Sequence, residues 1–218
     1  NVSHELKTPM TTIGGYVDGI LDGTIPKDNE KHYLQIVSSE VRRLSRLVRS
    51  MLDLSRLQAQ GIDESRKTRF DLGDVMSDVL ITFEQKINAR GLQVSVDLPE
   101  KPVWTKADRD AITQVVYNLL DNAIKFCPVG GNLGLILEQD GQKARLRIRN
   151  TGQTIPPEEL PLLFDRFHKA DKARSADREG WGLGLYIAKT IIGAHGGEIW
   201  ATSENGVTEF SFTLPAVR

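Results

Sequence analysis

The chain has 218 residues, 39% hydrophobic and 26% charged, with a formal net charge of −1. That apolar content supports a buried core and excludes a disordered tail. No window approaches the ~18 unbroken apolar residues of a membrane span, and the balanced charge argues against a dedicated nucleic-acid binder. One cysteine, Cys127, leaves no internal disulfide and suits a reducing compartment. Next to Phe126 and before a proline, it reads as a buried inert thiol, with a reactive thiol as the lesser alternative. The first residue is Asn1 rather than Met and no leader follows, so an excised fragment is expected.

Residues 1–60 read as two helices. The first carries Val2, Leu6, Ile13, Tyr16, Val17, Ile20 and Leu21 and stops near Asp22-Gly23-Thr24-Ile25-Pro26. Asp28 or Asn29 can cap the second. Leu34, Val37, Val41, Leu44, Val48 and Met51 then alternate at spacings of three and four, a heptad seam widened by Leu47, Leu54 and Leu57. Two helices with so wide a stripe cannot bury it alone, and a second copy making a four-helix bundle is the simplest remedy.

Residues 61–69, without apolar period, read as a linker ending in a short strand before Phe70. A second domain is expected over 70–218. Asp71 can cap a helix through Leu72, Val75, Met76, Val79, Leu80, Phe83 and Ile87, with Gly91 just past its end. Residues 92–98 alternate as a strand. Asp108 reads as another cap, before a helical face of Ile112, Val115, Val116, Leu119, Leu120 and Ile124. Strands over 133–138 and 144–149 flank a hairpin turn at Asp140-Gly141. Residues 151–182 form a long irregular stretch, of a length that is usually functional. A helix over 183–195 and strands over 197–202 and 207–214 complete an α/β sandwich with a mixed sheet.

Four groups of residues carry chemistry. His4 lies in Ser3-His4-Glu5-Leu6-Lys7-Thr8-Pro9, with Glu5 beside it and Thr8 one helical turn on. A neutral imidazole is a nucleophile near pH 7, and a neighbouring carboxylate can orient it or take its proton; alone, the stretch also fits a surface histidine. Pro9 removes the donor for the Glu5 carbonyl, so a bend is expected there. Asn118 and Asn122 share a helical face, with Lys125 about a turn beyond. Their carboxamides offer oxygens to a hard cation such as Mg²⁺ and N–H groups to phosphate, although a polar helical stripe reads the same way. Gly180-Trp181-Gly182-Leu183-Gly184-Leu185 opens a helix, where glycines let backbone N–H groups approach phosphate; the GxxxxGK[ST] loop is absent. Asn150-Thr151-Gly152-Gln153-Thr154-Ile155 is by itself only a turn after a strand.

In this order, the motifs resemble those of bacterial two-component sensor histidine kinases, over essentially the whole chain. SHELKTP resembles the H box, NLLDNAIKF the N box, LFDRFHK with Phe164 and Phe167 the F box, and GWGLGL the G2 box. The resemblance implies a dimerisation and phosphoacceptor domain over 1–60 and a catalytic ATP-binding domain over 70–218. It implies that His4 takes the γ-phosphate of ATP and passes it to an aspartate on a response regulator receiver domain. Glu5 would act as hydrogen-bond partner and base, and Thr8 would orient water in a reverse phosphatase reaction. Asn122, with Asn118 beside it, would hold Mg²⁺. Lys125 would meet phosphate, Phe126 would pack near adenine, and Phe167, Gly180, Gly182, Leu183, Gly184 and Leu185 would belong to the nucleotide site. Over 153–180, basic residues Arg166, His168, Lys169, Lys172 and Arg174 would meet phosphate or stand solvated.

The G1 box of that family reads Asp-x-Gly-x-Gly, and here Asn150 replaces the aspartate and Thr154 the second glycine, around Gly152 and before Ile155. A neutral acceptor in place of a carboxylate costs about 1 kcal/mol against adenine if the amide oxygen faces the base, and more if it faces away. A positive φ at Thr154 would add strain. The resemblance implies weakened but real ATP binding, with a catalytically weak dimeric regulator or scaffold as the alternative. A third reading, an ATPase of the chaperone and topoisomerase type, conflicts with the H box. The fragment is expected to be cytoplasmic, and its parent to be anchored in the bacterial membrane through segments upstream of Asn1.

Overall fold

The computed structural model describes residues 2–60, 63–168 and 182–217. They divide into two compact units, one made by the described residues up to Arg56 and one by those from Leu57 onward.

The first unit holds α1 (Val2–Leu21) and, as far as Arg56, α2 (Lys27–Gln60). α1 runs through the buried Pro9 and ends before Gly23, whose φ of 77° turns the chain. The Ile25 N–H donates to the Gly19 carbonyl at 2.8 Å, and Tyr16 and Tyr33 bring the helices together with ring centroids 5.0 Å apart. α2 begins at Lys27, ahead of both expected caps, Asp28 and Asn29. Asp28 therefore sits inside the first turn with Glu30, where carboxylates favour the helix N-terminus, rather than as its cap. Along the heptad seam, Leu34, Val41 and Val48 are 51%, 47% and 44% exposed, whereas Leu47 and Leu54 are buried.

In the second unit, the end of α2 is followed by a 3₁₀ turn, Glu64–Arg66, and β1 (Lys67–Asp71). The expected linker thus ends in a strand, as anticipated before Phe70, and the 3₁₀ turn in front of it was not anticipated. β1 pairs antiparallel with β3 (Trp104–Asp108), a strand that the residue pattern did not reveal because it is short and carries Lys106 and Asp108. The helix expected after Asp71 divides into α3 (Leu72–Thr82) and α4 (Glu84–Ala89). At the break the Thr82 hydroxyl donates to the Val79 carbonyl at 2.7 Å. The Phe83 N–H donates to Leu80, three residues back, as its buried ring turns onto Tyr117 at 4.7 Å. Asp71 caps α3 as expected, accepting from Gly73 N–H at 2.9 Å.

The main sheet has five strands: β2 (Gln93–Asp97), β4 (Asn132–Asp140), β5 (Lys143–Thr151), β6 (Ile199–Glu204) and β7 (Val207–Pro215), in the order β2–β4–β5–β7–β6. Only β2 and β4 are parallel; the other pairings are antiparallel. Alternation decides its faces: Leu133, Leu135, Leu146, Ile148, Phe210 and Phe212 are buried, whereas Arg145, Arg147 and Arg149 stand on the opposite face with Glu138 and Glu209. Helices α3, α5 (Arg109–Phe126) and α6 (Gly184–Ala194) supply the rest of the core through residues such as Val75, Leu119 and Ile191. This is the mixed-sheet α/β layer architecture expected from the sequence.

Asp108 caps α5, its side chain accepting from the N–H groups of Asp110 and Ala111. The Asp108 N–H donates to Nε2 of His195 at 3.0 Å, while His195 Nδ1 lies 2.9 Å from the Ile191 carbonyl. One ring nitrogen must therefore accept and the other donate, which requires the neutral imidazole. Burial holds the pKa of His195 below the usual histidine value. Cys127 is buried, with Sγ 3.5 Å from the Asn132 carbonyl oxygen, as expected for an inert thiol.

Candidate nucleotide and phosphoacceptor sites

In the first unit, His4 and Glu5 lie in the first turns of α1 and Thr8, exposed, one turn further. Pro9 follows without interrupting the helix.

In the second unit the candidate residues come from three places: the last turns of α5, the chain leaving β5, and the start of α6. Asn118 Nδ2 donates to the Gly184 carbonyl at 3.1 Å, tying α5 to the first residue of α6. Its amide oxygen stays available as a hard ligand. Asn122, one turn on, has no protein partner among the described residues. Lys125 Nζ sits 5.6 Å from the ring centroid of Phe126, whose ring is exposed at the helix end.

Asn150 ends the inward-facing row of β5 and is 3% exposed. Its Nδ2 donates to the Thr151 carbonyl at 3.0 Å. The reverse orientation would set two acceptors against each other, so the amide is held one way. Oδ1 is then the free acceptor, the orientation that suits an adenine amino group. A Cβ at Gly152 would lie 2.9 Å from the Phe126 carbonyl oxygen, so only glycine lets this chain pass α5 so closely.

Thr154 carries no positive φ, so the condition for strain there is not met. Its Oγ1 accepts from the Gly206 N–H at 2.9 Å. Gly152 N–H donates to the Gly206 carbonyl, and Ile155 N–H donates to Ser203 Oγ, each at 2.9 Å. These bonds fasten residues 152–155 to the β6–β7 hairpin, a role for Thr154 that the sequence did not signal.

Phe164, at the end of a 3₁₀ turn (Leu160–Phe164), packs edge-on against Phe210 with centroids 6.5 Å apart. Phe167 adopts a left-handed φ of 63° and its N–H donates to the Gly182 carbonyl at 3.0 Å. Gly182, at φ 66°, leaves no room for a Cβ, which would fall 2.5 Å from the His168 carbonyl oxygen. Leu183 is buried at the N-cap position of α6 and offers no side-chain cap, leaving the first N–H groups around Gly184 and Leu185 open to an anion. Of the basic residues expected to meet phosphate, Arg166 stacks over Tyr186 at 5.5 Å and His168 pairs with Glu159 at 2.8 Å. Gly180, Lys169, Lys172 and Arg174 lie outside the described residues. Among the described residues no cluster of histidine, cysteine or carboxylate side chains forms a metal site, and no helix is long and apolar enough to cross a membrane.

A glycine-framed, uncapped helix start beside the Asn118 carboxamide fits a nucleotide-binding α/β domain, preceded in the chain by a helical hairpin with a histidine near its start. Residues 107–218 match the family described as histidine kinase-, DNA gyrase B- and HSP90-like ATPases, and residues 1–60 match the His kinase A phosphoacceptor domain. The chain is 38% identical over 217 residues to sensor protein SrrB of Staphylococcus aureus strain MRSA252, covering 99% of this chain and 37% of that protein. It therefore spans well under half of the relatives it matches. Histidine kinase AdeS of Acinetobacter baumannii superposes with a TM-score of 0.79 at 29% identity, over 99% of this chain and 98% of that one. Histidine kinase ThkA, solved in complex with response regulator protein TrrA, gives 0.79 at 28% identity, over 99% and 60%. The chain belongs to that ATPase family and, with the phosphoacceptor domain in front, to the bacterial two-component sensor histidine kinases.

Proposed function

We propose that this chain is the kinase core of a sensor histidine kinase, which phosphorylates itself on His4 and passes the phosphoryl group to an aspartate of a response regulator receiver domain. The observation that carries this reading is the pairing, in one chain, of the Ser3–Pro9 stretch on α1 with the nucleotide-binding geometry around Asn118, Asn150 and Gly182. An imidazole nitrogen of His4 attacks the γ-phosphorus of ATP. The N–P bond forms as the bond to the β,γ-bridging oxygen breaks, and ADP leaves. Glu5 takes the proton from the other imidazole nitrogen or holds it in place.

The second unit positions the nucleotide. Asn150 Oδ1 accepts from the adenine amino group, with Phe126, Gly152 and Ile155 at the same end of the site. Lys125, Gly182 and the N–H groups at the start of α6 receive the phosphates. The carboxamide oxygens of Asn122 and Asn118 would hold Mg²⁺, whose charge neutralises the phosphate oxygens; with phosphate and water completing its shell, so few protein ligands suffice. Both G1 departures fit ATP binding: Thr154 is unstrained and Asn150 presents an acceptor. A non-catalytic regulator has no other support.

In this reading residues 1–60 dimerise and carry the phosphoacceptor, the junction lies around 61–69, and the following residues form the catalytic domain. The exposed Leu34, Val41 and Val48 form the stripe that a second copy would cover. Thr8 is placed to orient water when a phosphorylated receiver is hydrolysed. The core acts where ATP and receiver domains are found, in the cytoplasm, and its parent is a membrane-anchored sensor. Incubation with Mg²⁺ and γ-labelled ATP tests the proposal. Acid-labile, base-stable label on the wild type, absent from His4→Gln, is expected; no label at millimolar ATP overturns it.

A further inference from the structure

Phe167 holds a left-handed backbone conformation that a residue with a Cβ keeps only when its surroundings impose it. Its N–H is bonded to the Gly182 carbonyl, and Gly182 is itself left-handed, with the His168 carbonyl oxygen where a Cβ would have to go. Leu183 and α6 start immediately after this crossing. A side-chain bond closes the segment leading into it. Glu159 precedes the 3₁₀ turn, His168 follows it, and the imidazole Nε2 donates to the Glu159 carboxylate at 2.8 Å, both groups being half-buried. The intervening Phe164 is wedged against Phe210, and Arg166 rests on Tyr186 of α6. Those two contacts hold the segment onto the domain, while the Glu159–His168 bond fixes the direction in which it reaches Gly182.

We propose that Glu159 is a positioning residue for nucleotide binding, acting through its bond to His168 to hold the Phe167–Gly182 crossing from which α6 starts. The inference rests on the nucleotide-binding reading of α6 above. Losing the bond leaves the Phe164 and Arg166 contacts in place, so the fold persists while the crossing loosens.

The test measures ATP affinity and autophosphorylation of the full chain for wild type, Glu159→Ala, Glu159→Gln, His168→Ala and the double alanine variant, with melting temperatures alongside. Each single alanine variant is expected to raise the KM for ATP roughly three- to tenfold with kcat little changed, the range of one ordinary hydrogen bond, since partial exposure screens the charge. The double variant is expected to be no worse than either single one, because both remove the same bond. Glu159→Gln keeps an acceptor and stays near wild type. If Glu159→Ala unfolds, His168→Ala and Glu159→Gln still read the bond. A KM unchanged by Glu159→Ala while the wild type binds ATP overturns the inference. So does a loss confined to His168→Ala, which would make His168 a phosphate contact instead. A wild type that binds no ATP overturns the underlying nucleotide reading, and this inference with it.

Discussion

The backbone N–H of Asp108 donates to Nε2 of His195 at 3.0 Å, joining the N-cap of α5 to the residue that ends α6. Asp108 also meets Arg66 Nε at 3.1 Å, so the entry into the second unit and both site helices share this point.

That relationship makes the second unit sensitive to acid. Burial depresses the His195 pKa below the ordinary value of 6.5. The unfolded chain therefore takes up a proton below pH 6.5 that the native chain refuses. Stability is full above that pH and falls as pH drops toward the depressed native value, by up to about 1.4 kcal/mol per pH unit for one proton. Urea unfolding at pH 7.5 and 5.5 is expected to show a larger loss for wild type than for His195→Gln, which is less stable throughout. Equal losses would remove His195 as the source.

Asn150→Asp is expected to move affinity and stability in opposite directions. A carboxylate accepting from adenine gains about 1 kcal/mol over an amide, roughly fivefold in ATP affinity. The same change loses the bond to the Thr151 carbonyl and sets an oxygen against it at a site 3% exposed. A stability cost of about 1–3 kcal/mol follows for the unmet buried group. Titration calorimetry and thermal melts on one preparation read both; tighter binding with no stability loss would contradict the amide orientation.

Two glycines of neighbouring segments should respond oppositely to alanine. Gly182 has φ 66° and no space for a Cβ, so Gly182→Ala is expected to lose ATP binding and at least about 1 kcal/mol of stability. Gly193, inside α6 with nothing within 4 Å of an added Cβ, should gain up to about 1 kcal/mol on Gly193→Ala without change in ATP affinity. Melting curves with and without ATP separate the two.

Charges on the exposed heptad stripe should disrupt self-association. Val41→Glu together with Val48→Glu places carboxylates where two copies would meet, and sedimentation is expected to show monomer at concentrations where wild type is dimeric. ATP binding by the second unit should be unaffected. A dimer that survives would place the interface elsewhere.

Periodicity over local windows made the helices, most strands and the caps Asp71 and Asp108 legible, because each depends on residues close in the chain. The ordered motifs likewise pointed to the family through His4, the asparagines of α5 and the glycines before α6. β3 escaped because a five-residue strand bearing Lys106 and Asp108 has no apolar pattern of its own and is set by its pairing with β1. The break at Phe83 escaped because burial against Tyr117 overrides a continuous apolar face. Asn150 and Thr154 read as weakening ATP binding without abolishing it, but side-chain orientation decides their effect. The Thr151 carbonyl selects which end of the Asn150 amide is free, and the Gly206 N–H gives Thr154 a structural bond. Glu159 and His168 are nine residues apart, with nothing in the intervening sequence to mark them as partners. The sequence alone determined element type, family and the candidate chemical groups, since these follow from residue type and local spacing. The tertiary structure alone decided amide direction, left-handed crossings and long-range bonds, which depend on partners that only folding brings together.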